Sequence, residues 1–197
     1  GTNVFGTISN SYATGSVSGS SRVGGLVGNN TGTGTISNSY WDIDSTGRTN
    51  AGDGVSSGAT GIRSTSSTVN AYTQATYGGF DFTNTWWMSE GNTRPLLQSE
   101  YSSTINNAHQ LQLIGMNPTT LAASYTLGRN IDLAADLAAV SGQYPGLWNS
   151  LGFVPIGTPS SISSGSFNGT FDGLGRTINN LTINRPATDY VGLFGAT

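Results

Sequence analysis

A seven-residue sequence that occurs twice is the feature that most restricts how this chain can fold. GTISNSY spans Gly6–Tyr12 and returns at Gly34–Tyr40, an offset of 28 residues. In each copy a single Ile alternates with Thr and Ser, which is the two-residue period of a β-strand. Self-similarity at this spacing is typical of solenoids, in which each unit buries its apolar side chains against its neighbours. We therefore expect short strands stacked in register.

Two further patterns extend the repetition. VGGLVG (Val23–Gly28) returns as VGLFG (Val191–Gly195), and RTINNLTI (Arg176–Ile183) keeps the Thr-Ile-x-Asn order of GTISN. A helical solenoid would need a sustained 3.6-residue period, which is missing, so the patterns predict an all-β fold, most simply a parallel β-helix. We expect Asn10 and Asn38 to stack as a ladder of side-chain amides. The positions with a predicted repeated structural role are Ile8, Asn10, Tyr12, Gly25, Leu26, Gly28, Ile36, Asn38, Tyr40, Gly173, Gly175, Ile178, Leu181, Gly192, Leu193 and Gly195.

Composition restricts the class of protein further. Only 9% of the residues are charged, the net charge is −3, and all seven cationic residues are arginine. A protein that tracks nucleic-acid phosphates normally presents a basic face, so we expect no nucleic-acid partner. Zero cysteines exclude a disulfide framework and thiolate zinc sites. No apolar stretch is long enough for a membrane helix, and low charge with 35% hydrophobic residues argues against disorder.

The same repeats resemble the GLUG motif of large secreted bacterial exoproteins, the filamentous-haemagglutinin-like and high-molecular-weight adhesins of two-partner secretion. The resemblance lies in VGGLVGNN…GTISNSY and in residues 167–195. It extends to the segments 105–133, 153–157, 38–47 and 91–97. The family implies a right-handed parallel β-helix that is secreted to the bacterial cell surface, where it has adhesive or matrix functions.

The domain prediction has three parts. Residues 1–48 are predicted as β-helix coils, 49–101 as an irregular Ser/Gly/Thr-rich and then aromatic insertion, and 102–197 as a second β-helix segment. Short helices are predicted at Asn106–Leu113 and Asp132–Val140. Because 189–197 would continue naturally into 1–15, we expect the chain to be a fragment or one period of a tandem array, with adjacent repeats or further copies as head-to-tail partners.

One segment matches the spacing of a calcium loop. Oxygen-bearing side chains and a turn glycine at alternate positions are what a hard cation needs. The helices that flank such a loop are missing, and its last position is Asp rather than the longer Glu, so a solvated turn is the alternative interpretation. No other cofactor is expected. The candidate positions are Asp42, Asp44, Thr46, Gly47, Asn50 and Asp53.

No catalytic residues are predicted. Polysaccharide-active β-helix enzymes use clustered acids, and Asp42, Asp44, Asp172 and Asp189 are the acids that such a site would have to draw on. His109 is the only histidine, so a triad or a multi-histidine metal site is excluded. We interpret it as a surface or capping residue and expect the protein not to be an enzyme.

The aromatic residues offer a binding hypothesis. Trp86 and Trp87 are adjacent and would point to opposite sides of a strand, so one of them could stack on a sugar. The alternative is that tryptophans fill the core of the irregular segment. Asn-x-Ser/Thr sequences at Asn29, Asn168 and Asn180 are potential glycosylation sites but are no more frequent than chance predicts.

The sequence therefore predicts a structural and adhesive repeat module of a secreted surface protein. Its contacts would be with a host-surface or matrix glycan or protein. A self-assembling fibre subunit and a polysaccharide-active enzyme are the alternatives.

Overall fold

The computed structural model describes residues 1–139, 144–158 and 165–197. The chain forms two compact units. Unit 1 contains Gly1–Asp81 together with Val140–Pro145, and unit 2 contains Phe82–Ala139 together with Gly146–Thr197.

Unit 1 consists of very short strands and one turn of helix. Two of the strands, Thr7–Ser9 and Thr35–Ser37, carry exposed Thr and Ser on either side of a single, less exposed Ile, as expected for a thin stacked core. Its elements are β1 (Thr2–Asn3), β2 (Thr7–Ser9), β3 (Tyr12–Ala13), β4 (Asn29–Asn30), β5 (Thr35–Ser37), β6 (Ser39–Asp42), α1 (Ile43–Thr46) and β7 (Ala59–Ile62).

The two copies of GTISNSY lie side by side in unit 1. Strand β2 pairs with β5 in parallel, so that Thr7, Ile8 and Ser9 face Thr35, Ile36 and Ser37. Strands β1 and β3 pair in the same sense with β4 and β6, and β7 adds a third layer to β6. Every strand pair among the described residues of unit 1 is parallel. A repeat copy is therefore the structural neighbour of its equivalent.

Hydrogen bonds between side chains reinforce this register. The hydroxyls of Thr7 and Thr35 are 3.0 Å apart. The amide ladder predicted for Asn10 and Asn38 occurs at another pair, where Nδ2 of Asn3 donates to Oδ1 of Asn30 at 2.9 Å. Asn10 and Asn38 instead have positive φ values of 47° and 44° and make the corners that end β2 and β5. Asparagine suits a corner because it tolerates the left-handed region better than other side chains.

An aromatic cluster closes the core of unit 1. The rings of Tyr12 and Tyr40 lie 5.8 and 5.1 Å from the ring of Tyr77, which stacks on Phe80 at 5.4 Å. The first half of the predicted insertion therefore belongs to unit 1, since its aromatic side chains cover the repeat tyrosines and its strand β7 extends their sheet.

Unit 2 has a larger core and one longer helix, α2 (Ala108–Leu113). This helix begins after Asn107, whose side chain accepts a hydrogen bond from the amide of Gln110 at 2.9 Å, as an N-cap residue does. Two 3₁₀ turns lie in the described part of the chain, Gln74–Thr76 in unit 1 and Gln98–Glu100 in unit 2. The remaining elements of unit 2 are β8 (Trp86–Trp87), β9 (Leu96–Leu97), β10 (Thr104–Ile105), α2 (Ala108–Leu113), α3 (Pro118–Leu121), β11 (Ser124–Leu127), β12 (Ile131–Asp132), α4 (Ala134–Leu137), β13 (Thr170–Asp172) and β14 (Ile178–Asn179).

Parallel pairing also dominates unit 2. Strands β10, β11 and β13 form one parallel sheet, and β12 pairs with β14 in parallel, whereas β8 and β9 are antiparallel. Fully buried Trp148 and Phe153 occupy the core with the apolar side chains of α2. Asn180 after β14 has a φ of 57°, so the third Thr-Ile-x-Asn sequence ends in the same kind of corner as the first two.

The unit boundary differs from the predicted domains. It falls at Asp81/Phe82, inside the predicted 49–101 insertion, because the aromatic residues before it pack on unit 1 and those after it pack on unit 2. The predicted helix Asp132–Val140 is observed only at Ala134–Leu137, and its last residue, Val140, lies outside the described part of the chain. The parallel β-helix itself stays a prediction.

Candidate functional site

At the glycines of VGGLVG, other segments of the chain lie very close to the backbone. The amides of Gly25 and Leu26 donate to the carbonyls of Asn50 and Ala51 at 2.9 and 3.0 Å, so a later segment of the chain lies directly against the motif. A Cβ atom added to Gly25 would lie 2.6 Å from Cγ of Trp41 and closer still to its Cδ1. Glycine is therefore required at this position because an indole ring occupies the space of the side chain.

Trp41 is fixed in that place. It is only 7% exposed, and its indole nitrogen donates to the carbonyl of Arg48 at 2.8 Å. The neighbouring Tyr40 donates its hydroxyl to the carbonyl of Gly78 at 2.8 Å. The motif thus packs Gly25 against the buried indole of Trp41, which is a structural role.

The predicted calcium positions are engaged in local structure. Asp42 is fully buried and caps α1, since its Oδ1 accepts from the amides of Asp44 and Ser45 at 2.9 and 3.0 Å. Its Oδ2 accepts from the hydroxyl of Tyr12 at 3.3 Å. The hydroxyl of Thr46 donates to the carbonyl of Asp42 at 2.6 Å. An Asp at this position is what begins the helical turn.

Asp44 has protein partners on both carboxylate oxygens. Oδ1 forms an ion pair with Nη1 of Arg63 at 3.2 Å, and Oδ2 accepts from the amide and the hydroxyl of Ser64, both at 2.6 Å. These contacts tie α1 to the segment after β7. The carboxylate therefore acts as a structural link between successive layers of unit 1.

The remaining positions of the calcium pattern have separate local environments. Gly47 ends α1 with a φ of 66°, Asn50 is exposed, and Asp53 pairs through its backbone with Asn29. Across residues 1–139, 144–158 and 165–197, no group of three or more His, Cys, Asp or Glu side chains is placed to hold a metal ion. The calcium-loop spacing therefore coincides with a capped turn, and calcium binding stays a prediction.

The other acids have different environments. Asp172 accepts a hydrogen bond from the amide of Leu174 at 2.8 Å, as a turn residue does, and Asp189 is exposed. The side-chain amide of Asn180 is the main cause of a lowered pKa for Asp132. Burial raises the pKa of Asp136, and nearby His109 offsets part of that rise.

His109 lies in the first turn of α2 and is paired. Its Nδ1 is 2.6 Å from Oε2 of Glu100, and both side chains are partly exposed. The pairing fits the predicted surface role of this histidine.

The four tryptophans divide into two groups. Trp41 and Trp148 are buried, and the indole nitrogen of Trp148 donates to Oε1 of Gln112 at 2.6 Å. Trp86 and Trp87 form β8 and are both half-buried, as adjacent residues on opposite sides of a strand would be. Trp87 is the one that packs against the core of unit 2 and lines a cleft on that unit.

A cleft lies on unit 2 beside Trp87. It has a volume of about 260 Å³, and the side chains that line it come from distant parts of the sequence: Trp87, Ser89, Gln112, Asn117, Leu121 and Thr158. Of these, the sequence pointed only to Trp87. Asn117 followed by Pro118 is a helix-start signal, and it is the one local pattern that could have drawn attention to this region.

The predicted glycosylation sequences differ in access. Asn29 is only 6% exposed and is part of β4, so a glycan cannot be attached to it in the folded state. Asn168 and Asn180 are exposed.

Comparison with known proteins agrees with the motif analysis. Residues 19–43 match the GLUG motif. The chain is 30% identical over 182 residues to Halomucin of Haloquadratum walsbyi, across 86% of this chain and 2% of that protein. It is 37% identical over 91 residues to a protein named as a Gly-rich membrane protein of Evansella cellulosilytica, across 44% of this chain and 10% of the relative.

The chain thus spans a small part of both relatives. None of the three names describes an enzyme, which favours the non-enzymatic prediction. No solved structure matches the chain. In the described residues, no helix has the length and hydropathy needed to cross a bilayer.

Proposed function

We propose that this chain is a structural and adhesive module of a secreted, cell-surface repeat protein, and that its stacked coils form a right-handed parallel β-helix. The finer assignment, an exoprotein of the filamentous-haemagglutinin type exported by two-partner secretion, is part of the same proposal. It is supported by the GLUG match at residues 19–43 and by the similarity to proteins named as a halomucin and a Gly-rich membrane protein.

The observation that supports the proposal best is the pairing of repeat copies with each other. Thr7–Ser9 lies in parallel register against Thr35–Ser37, 28 residues away, and a third strand continues the stack over β6. A structure built in this way lengthens by adding copies, without changing its cross-section. Its outward side chains are Thr, Ser and Asn, which are neutral and hydrogen-bonding. These properties suit a long extracellular scaffold.

Surface labelling tests the cellular part of the proposal. An antibody raised against the folded chain should label intact cells of the source organism, and protease added outside those cells should remove the signal. A cytoplasmic protein in the same cells serves as the control and should stay intact. Labelling that requires lysis of the cells would contradict the proposal.

Self-assembly is a second candidate. Among the described residues, β1, β2 and β3 each pair with a single strand, and Phe5 between β1 and β2 is 82% exposed. An unpaired edge with an exposed aromatic residue favours addition of another chain. Sedimentation velocity should then show concentration-dependent association that Phe5→Lys abolishes. Single monomers at high concentration would remove this candidate.

A further inference from the structure

We propose that the cleft lined by Trp87 in unit 2 binds a single neutral sugar ring. This inference goes beyond the proposed function and does not depend on it, because a surface scaffold needs no ligand. The cleft holds about 260 Å³. This is slightly below the roughly 300–1,000 Å³ of pockets for drug-sized ligands, which suits one ring rather than an extended chain.

The lining has the chemistry of a neutral polyol site. Trp87 supplies an aromatic surface, and Leu121 and Pro118 add apolar area. A sugar ring has one face of C–H groups that packs on such a surface, while its hydroxyls need hydrogen-bond partners at the rim. None of the described residues that line the cleft is charged, so an acidic or basic ligand has no counter-ion there.

The polar side chains at the cleft are held in place. Gln112 is locked, since its Oε1 accepts from Trp148 at 2.6 Å and its Nε2 donates to the carbonyl of Val154 at 3.2 Å. Asn117 is oriented as well, because its Oδ1 accepts from the amides of Thr119 and Thr120. These bonds assign Nδ2 of Asn117 as the side-chain donor.

Three of the side chains that line the cleft have a donor available for a ligand. Within the described part of the chain, Nδ2 of Asn117 and the indole nitrogen of Trp87 donate to no protein acceptor. Oγ of Ser89 accepts from Asn92 at 3.3 Å, which leaves its own proton to donate. Rigid donors around an aromatic surface recognise ring oxygens without paying an ordering entropy on binding.

The test uses the full chain and four probes: the methyl glycosides of glucose, galactose, mannose and N-acetylglucosamine. Titration is followed by the indole N–H resonances in ¹⁵N-correlated spectra, and Trp87→Phe identifies the Trp87 signal. A single ring with a few hydrogen bonds should bind with a dissociation constant of about 1 mM. At least one probe should shift the Trp87 resonance in a saturable way.

Variants separate binding from stability. Trp87→Ala should weaken binding at least about tenfold, whereas the matched variant Trp86→Ala, at a residue that does not line the cleft, should change it less than about threefold. Asn117→Asp keeps the helix cap but replaces the donor by an acceptor, so it should weaken binding about fivefold with an unchanged melting temperature. Trp87→Phe covers the case in which Trp87→Ala fails to fold.

The inference is overturned if no probe shifts the Trp87 resonance at about 50 mM, well above the expected dissociation constant. Equal binding by the wild type and Trp87→Phe or Asn117→Asp would overturn it as well. Failure here leaves the surface-labelling result untouched, and failure of surface labelling leaves sugar binding untouched.

Discussion

Replacing Gly25 by alanine should destabilise unit 1 because the indole of Trp41 occupies the space of the new methyl group. The added Cβ would lie 2.6 Å from Cγ and 2.8 Å from Nε1 of Trp41, and real Cβ atoms do not approach heavy atoms within 3.0 Å. Overpacking of this kind costs about 1–3 kcal/mol. Trp41 is buried and hydrogen-bonded to Arg48, so it cannot turn aside cheaply. We therefore expect a loss of about 2–3 kcal/mol.

A double-mutant cycle tests this reasoning. Gly25→Ala, Trp41→Ala and the double variant are compared with the wild type by urea unfolding followed with circular dichroism, all in sucrose to keep the weakest variant folded. Hydrogen exchange of the β2 and β5 amides reports on unit 1 alone. In the absence of the indole, Gly25→Ala should cost less than about 1 kcal/mol, which gives a coupling of at least about 1 kcal/mol.

Gly78→Ala is the control in the same unit. Its added Cβ would meet only the hydroxyl of Tyr40, at an ordinary 3.7 Å, so its effect should stay within about 0.5 kcal/mol. An equal cost for Gly25→Ala with and without Trp41 would show that the indole is not the reason for glycine at this position.

Three other substitutions make separate tests. Burial raises the pKa of Asp136 above its unfolded value, so the ionised carboxylate favours unfolding and stability is lost as the pH rises through the folded pKa. Asp136→Asn should therefore raise the melting temperature at pH 7 and leave it unchanged near pH 2. An equal shift at both pH values would contradict this. Asp44→Asn should cost about 1–3 kcal/mol in urea unfolding because it breaks the pair with Arg63. Millimolar calcium should give no heat with the wild type, because both oxygens of the Asp44 carboxylate already have protein partners, and a saturable heat would support the calcium hypothesis. Asn10→Gly should be neutral, whereas Asn10→Ala should cost about 1 kcal/mol at a φ of 47°, and equal melting temperatures for the two would refute the corner role.

Repetition made the local structure of unit 1 predictable. Two identical sequences have identical strand preferences, so the register that pairs Thr7 with Thr35 also pairs every later position. The side-chain amides were less predictable, because asparagine serves both as a ladder residue and as a left-handed corner. Asn3 takes the first role and Asn10 the second, and only the surrounding backbone distinguishes them.

The calcium hypothesis shows how one pattern can serve two structures. A helix N-cap and the first position of a calcium loop both favour Asp, and both precede small polar residues. Asp42 caps a single turn, and Arg63 and Ser64, roughly 20 residues later, occupy the carboxylate of Asp44. Those partners come from the next layer of the stack, so no local pattern could indicate them.

The cleft lay beyond sequence reasoning for the same reason. Trp87, Gln112 and Thr158 meet only after three segments have folded together, and none of the segments has a signature of binding. The unit boundary was hidden likewise, since Tyr77 and Phe80 belong to unit 1 through contacts with Tyr40 that lie about 40 residues away in sequence.

The identity of the paired copies creates a risk of misfolding. Because β2 and β5 have the same sequence, a strand from a second molecule or from another period would form the same backbone hydrogen bonds. Exchange of whole repeats between chains would therefore leave the energy of strand pairing unchanged. Selectivity then rests on the positions at which the copies differ. Ala13 in β3 pairs with Trp41 in β6, and only the side chain of Trp41 is buried beside Gly25. Trp41, which directly follows the second copy, thus specifies which neighbour is correct.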